Sequence, residues 1–144
     1  MRLTVQSDYS LRVLIFVAAK RGELSTIPEI AEAYDISRAH LMKVVHHLGK
    51  LGYLSTVRGR SGGIRLAKPP TEICIGKVVR STEESLALVP CLAQGDGCRI
   101  ESACRLKGML SEALGSFFQV LDRYTLADIV DGQAVPLRRL LQLV

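Results

Sequence analysis

The chain has 144 residues, enough for one domain or a domain with an added assembly element. Hydrophobic residues make up 48% of it, which supplies a core, but the longest apolar run, Val13 to Ala19, is far too short to span a bilayer. The net charge of +5 is uneven: residues 1–80 hold 13 Lys and Arg against 6 Asp and Glu, and residues 81–144 hold 6 against 8.

The N-terminus, MRLTVQSDYS, has no basic start feeding an apolar stretch, so no secretory signal and a cytoplasmic location are expected. Cysteines in that compartment stay reduced, and a close group of them points to metal, cluster or redox chemistry before a disulfide. From Ile36 to Thr71 there are seven basic residues and no acidic one. That is a footprint for a polyanion, although a solvated basic surface has the same charge. The arrangement of the residues has to decide.

Residues 8–21, DYSLRVLIFVAAKR, predict a largely buried helix, capped by Ser7 or Asp8 and ended by Gly22. Thr26-Ile-Pro-Glu29 is a capping box with proline in the first turn, opening a short second helix with Ile27, Ile30, Ala31 and Tyr34 on one face. Asp35 and Ile36 make a turn. Ser37 then caps a third helix, roughly residues 38–51, which Gly52 ends. Leu41, Val44, Val45, Leu48 and Leu51 form its buried stripe, while Arg38, His40, Lys43, His47 and Lys50 fall largely elsewhere. Helix, tight turn and helix in this order make a helix-turn-helix, whose second helix enters the major groove by its N-terminal end. Ser37, Arg38, His40 and Lys43 are the candidates to meet bases or phosphates there. His46 and His47 are adjacent and point about a quarter turn apart, which makes a poor chelating pair.

After Gly52 the period changes. Tyr53–Val57 and Gly63–Ala67 read as two strands around Arg58-Gly-Arg-Ser-Gly-Gly63, a glycine-rich basic hairpin tip. Arg58, Arg60 and Ser61 suit a minor groove or a phosphate backbone. The loop lacks the Gly-Lys-Ser/Thr ending of a nucleotide loop. No paired carboxylates or nucleophile–base set appear, so an enzyme is not expected. The expected fold is mainly α with a small β-hairpin wing: a winged helix-turn-helix plus a long dimerisation helix.

Pro69-Pro70 end the wing, and Gly76 to Ser81 suggest a linking helix. Cys74, between Ile73 and Ile75, reads as an ordinary buried cysteine. Leu88 to Cys104 is loop-like, with Gly95-Asp96-Gly97 in its middle. A long helix is expected from about Glu101. Its stripe runs through Leu106, Met109, Leu110, Ala113, Leu114, Phe117, Phe118, Leu121 and Tyr124, and a second copy of the same helix is the simplest cover, giving a two-fold dimer. Such a dimer suits double-stranded DNA with a palindromic operator. The expected organisation is a DNA-binding unit at 1–80, a linker and cysteine loop at 81–105, a long helix and a short one at 101–131, and a tail at 132–144 with no assigned role.

Cys91, Cys98 and Cys104 are separated by six and then five residues. A structural zinc site wants four ligands and favours Cys-x2-Cys pairs, which are absent. Ferredoxin spacings differ as well. Three thiolates can still hold an iron–sulfur cluster by one edge, with an oxygen or nitrogen ligand from elsewhere. Zinc, a thiol–disulfide switch and three plain cysteines remain open on spacing alone.

The N-terminal DYSLR, the SRAHLMKVVHHL helix, the RGRSGGIRLAKPP wing and the three-cysteine loop together resemble the small winged-helix iron–sulfur transcription regulators. The resemblance runs from Met1 to about Val130. Within that family, the Tyr124–Asp128 segment and the cysteine loop look closest to the nitric-oxide-sensing repressors. The resemblance implies an iron–sulfur cluster, 4Fe–4S in preference to 2Fe–2S, on Cys91, Cys98, Cys104 and Asp8 of the partner subunit. Members with another branch's pattern are implied to use a histidine three residues after the last cysteine. Lys107 stands there, and it cannot ligate while charged. Arg12, one turn after Asp8, can pair with it when the cluster is absent and couple the cluster to the DNA-binding unit. The implied function is a homodimeric repressor that releases its operator when nitric oxide attacks the cluster. A regulator of iron–sulfur assembly or redox state, a zinc- or thiol-switched DNA-binding protein, and an iron–sulfur electron carrier are the alternatives.

Overall fold

In the computed structural model, residues 2–93, 97–132 and 134–143 are described. Helix α1 spans Val5–Ala19 and starts one turn before the expected position. Thr4, not Ser7 or Asp8, is its N-cap, and the Thr4 hydroxyl accepts from the Ser7 amide at 3.2 Å. The cap is fixed from far along the chain: Glu83 Oε1 accepts from the Thr4 amide at 2.8 Å and from its hydroxyl at 3.1 Å. Ser7 is thereby buried inside the first turn, where its hydroxyl meets that of Thr82 at 2.8 Å.

Helix α2, Ile27–Tyr34, opens on the complete capping box between Thr26 and Glu29. Asp35 ends it in the left-handed region at φ 51°. Helix α3, Arg38–Lys50, is capped by Ser37, whose hydroxyl accepts from the His40 amide at 3.2 Å. Strands β1, Leu54–Val57, and β2, Gly63–Leu66, pair antiparallel with Leu54 opposite Leu66 and Val57 opposite Gly63. Ser25 adds two backbone bonds to Ile64, which ties the wing to the segment before α2. The hairpin needs a glycine at position 62, since a Cβ there would stand 2.2 Å from the Val57 carbonyl oxygen.

Helix α4, Ile75–Thr82, agrees with the expected linking helix. Cys74 differs from expectation. It is only half-buried, because the extended residue alternates with Ile73 and Ile75, which are the buried ones at 0% and 6% exposure. Its Sγ lies 3.7 Å from Asp122 Oδ1. The long helix α5 runs Arg105–Leu121 and starts later than expected, after a separate 3-10 turn at Glu101–Ala103. Helices α6, Leu126–Val130, and α7, Ala134–Leu140, follow.

The core gathers α1, α2, α3, the wing, α4, α6 and Leu141 after α7. Val13, Leu14, Phe16, Leu41, Leu48, Ile73 and Leu126 are all at or below 1% exposure. Each such side chain contributes about 1.5–3 kcal/mol by leaving water. The tail therefore returns to α1 and does not trail away. Arg138 donates to the Ala19 carbonyl at 2.6 Å and the Leu143 carbonyl at 3.2 Å, closing the C-terminal end of α1. Helix α5 is different. Of its expected stripe, Phe118 is buried and Leu110, Leu114 and Leu121 are half-buried, while Leu106, Met109, Phe117 and Tyr124 are exposed. Val120 joins that exposed group. No helix among the described residues is long and apolar enough to cross a membrane.

Candidate DNA-reading face and cluster-ligand segment

The seven residues expected to meet DNA lie on α3 and the wing. Arg38 and Lys43 are exposed on α3, and Arg58, Arg60 and Ser61 are exposed at the hairpin tip. Ser37 is exposed, but its hydroxyl serves as the helix cap. His40 is half-buried, because its ring packs edge-on against Tyr9 of α1 with centroids 4.9 Å apart. Two further exposed residues share the Arg38–Lys43 side of α3: Met42, at 60% exposure, and His46. Steps of four from Arg38 to Met42 and on to His46 are the sequence signal for this shared side. The wing is joined to α3 by the Tyr53 amide donating to the Leu48 carbonyl at 3.0 Å. Lys68 lies 4.7 Å over the Tyr53 ring and braces the returning strand.

Asp8 and Arg12 are brought together as the sequence suggests. Arg12 Nη2 lies 2.9 Å from Asp8 Oδ2, and Nε donates to Oδ1 at 3.1 Å. The hydrogen bond from Arg12 to Asp8 raises the guanidinium's proton affinity further above its ordinary value. Arg12 also sits over two rings, 5.9 Å from the Tyr9 centroid and 5.8 Å from that of Tyr34. Burial pushes the Tyr34 hydroxyl up to about 12, so it stays protonated and neutral beside the cation.

The cysteine segment is built in another way. Cys91 lies in a 3-10 turn, Pro90–Leu92, and Cys104 occupies the N-cap position of α5 without making a side-chain cap bond. Cys98 is exposed, and its carbonyl accepts from the Glu101 amide at 3.1 Å. Gly97 takes φ 68°, and Gly95 and Asp96 lie outside the described residues. None of the cysteines is in a disulfide. Lys107 donates to Glu101 at 2.5 Å, which holds it as a structural cation. Among the described residues, no three Cys, His, Asp or Glu side chains are gathered to hold a metal ion. The donor chemistry nevertheless suits an iron–sulfur cluster: three free thiols on one short segment, the last at the N-terminal end of a 17-residue helix.

The long helix meets the DNA-binding body at one polar joint. Arg80 of α4 grips Asp122 with two bonds, at 2.6 and 2.8 Å, and lies 4.1 Å over the Phe118 ring. These bonds hold the Asp122 carboxyl below its ordinary value. Gly76 makes room: a Cβ there would stand 2.0 Å from Asp122 Oδ1.

A helix-turn-helix with a basic hairpin wing on a helical body defines a DNA-binding transcription regulator. A family model described as Rrf2, an iron-dependent transcriptional regulator, matches residues 3–132, and the chain belongs to that family. It is 56% identical over 135 residues to the HTH-type transcriptional regulator NsrR of Bacillus subtilis, covering 92% of both chains. It is 54% identical over 144 residues to NsrR of Geobacillus kaustophilus, covering 99% of this chain and 97% of that one. These relatives are named as regulators, not enzymes. Among solved structures, that of T. potens IscR superposes with a TM-score of 0.74 at 26% identity, over 92% of this chain and 88% of that one. CymR, the global cysteine regulator of B. subtilis, superposes at 0.64 and 26% identity, over 91% and 97%.

Proposed function

We propose that the chain is a homodimeric, iron–sulfur-dependent repressor that senses nitric oxide and then releases a palindromic operator. The observation that carries this is a set of three thiols on one segment and a weakly held carboxylate on another. Three thiols stand on one segment with no metal-binding group gathered around them among the described residues, and Asp8 stands on the first helix of the DNA-binding unit in an exposed ion pair with Arg12. Cys91, Cys98 and Cys104 would hold the cluster, 4Fe–4S in preference to 2Fe–2S, and Asp8 of the partner subunit would complete it. When bound, the cluster supplies iron that reacts with nitric oxide.

The chain's own residues do the rest. Asp8 has two uses, as a ligand and as the partner of Arg12. An exposed pair at this spacing is worth only about 0.3–0.5 kcal/mol, so Asp8 leaves Arg12 readily and returns readily. Which use prevails sets the surroundings of the α1 start, and α1 packs directly on α3. That is a two-state element biased by a ligand. Lys107 stands at the alternative ligand position with its ammonium donating to Glu101. The exposed row Leu106, Met109, Phe117 and Val120 on α5, continued by Tyr124 just past its end, is the surface the second subunit would cover.

The deciding experiment uses protein isolated without oxygen, with its absorption spectrum and iron count, and DNA-binding titrations with and without nitric oxide. The expected result is iron–sulfur absorption and DNA release on nitric oxide. A chain with no such absorption, or with equal DNA affinity in both conditions, overturns the reading.

A further inference from the structure

We infer that Tyr9 is a positioning residue for the DNA-reading end of α3, setting the His40 ring through a direct ring contact. The inference deepens the proposed function only by giving Asp8 something to act on. The contact itself belongs to the DNA-binding unit.

Three observations converge on Tyr9. Its ring meets His40 edge-on, with centroids 4.9 Å apart and planes 67° apart. His40 is the third residue of α3, at the end that enters a major groove, and its amide is the one the Ser37 cap receives. Arg12 lies 5.9 Å from the same Tyr9 ring and is held by Asp8. Edge-to-face rings have a preferred geometry, so the Tyr9 ring fixes where the imidazole points. Without it, His40 on the first turn would be free among several rotamers, and α3 would lose its only ring contact with α1 among those described. Tyr9 also turns the Asp8–Arg12 pair from a surface feature into a neighbour of the reading helix. Arg12 is shared between Tyr9 and Tyr34, and Tyr34 packs on the core at Phe16, with centroids 6.3 Å apart. The Tyr34 side is anchored in the core and the Tyr9 side faces α3. A change in the hold on Arg12 is therefore felt at Tyr9 and His40.

The test is a double-mutant cycle on the full chain as isolated, without nitric oxide. The probe is a labelled duplex enriched by the wild-type chain from a random-sequence library, with a scrambled duplex of the same length beside it. Tyr9→Leu and His40→Leu are each expected to weaken binding to the enriched duplex by roughly three- to tenfold, the worth of one aromatic pair. Binding to the scrambled duplex, which phosphate contacts dominate, is expected to be unchanged. In the double variant the two losses are expected to be less than additive. Tyr9→Phe keeps the ring and is expected to rescue sequence preference. Additive losses, or equal losses on both duplexes, overturn the inference. So does a Tyr9→Phe chain as impaired as Tyr9→Leu. If Tyr9→Leu unfolds, His40→Leu against Tyr9→Phe tests the same contact from the surface side. A chain indifferent to nitric oxide would sink the proposed function and leave this result standing.

Discussion

The DNA-reading region and the cysteine segment are built on opposite principles. Around α1–α3 and the wing, caps are satisfied and the anchoring side chains are buried almost completely. Between Glu83 and Cys104, no described residue is buried, and the only helical or strand structure among the described residues is two single 3-10 turns. The first region is positioned by the chain's own packing. The second carries chemistry-bearing groups that packing does not organise. In physical terms, one part is a packed reader, and the other, as a proposed set of cluster donors, would take its order from what it binds.

The sharpest way to break that contrast is to substitute one residue in each. Leu14→Ala in the core is expected to cost about 2–5 kcal/mol in chemical denaturation of metal-free protein. Cys98→Ser, on an exposed position, is expected to stay within about 0.5 kcal/mol. Comparable losses from the two would show that the segment helps to fold the chain. The same Cys98→Ser chain is expected to lose iron–sulfur absorption on reconstitution.

The next largest effect concerns the joint between α4 and α5. A methyl at Gly76 would displace the carboxylate that Arg80 holds, so Gly76→Ala is expected to cost about 1–3 kcal/mol. Asp122→Asn in the same background is expected to recover little, since the side chain it shortens in charge keeps its bulk. Acid removes the contact without a mutation. Arg80 lowers the folded carboxyl value below 3.8, so the stabilisation is complete above that value and is lost as pH falls through the lower one. A wild-type acid unfolding limb identical to that of Asp122→Asn would exclude the joint as a contributor.

Arg138 offers a smaller effect on the reader's side. Its two bonds close the end of α1, and Arg138→Ala is expected to cost about 1.5–3 kcal/mol if both are fully made, less because the side chain is half-exposed. Thermal unfolding of that variant beside a chain ending at residue 132 separates the guanidinium from the buried Leu141.

What could be read from the sequence follows the range of the forces involved. The Thr26–Glu29 box, the Ser37 cap and the Leu41, Val44, Val45, Leu48 stripe are local patterns, and all stand in the structure. The start of α1 is not legible locally, because its cap is secured by Glu83, 79 residues away. The tail's role escaped because Arg138 and Ala19 are 119 residues apart. The apolar neighbours of Cys74 suggest burial, but an extended segment turns alternate residues outward. The Tyr9–His40 contact has no sequence signature at all, since it depends on how α1 crosses α3.

The smallest expected effect sits where the two regions would meet. In metal-free protein, Asp8→Asn removes an exposed pair one helical turn long, and the expected loss is about 0.3–0.5 kcal/mol. It should shrink further at 1 M salt, where screening reaches within about 3 Å. The smallness is the point. A strong pair would hold Asp8 on Arg12 against any other ligand, and a residue with no partner would leave nothing to switch. If Asp8→Asn instead destabilises metal-free protein by several kcal/mol, Asp8 is a structural residue of α1, and its proposed second use as a ligand loses its physical basis. If the loss is small without metal while the variant's reconstituted cluster decays faster than wild type, the weak pair is what lets one carboxylate serve both regions.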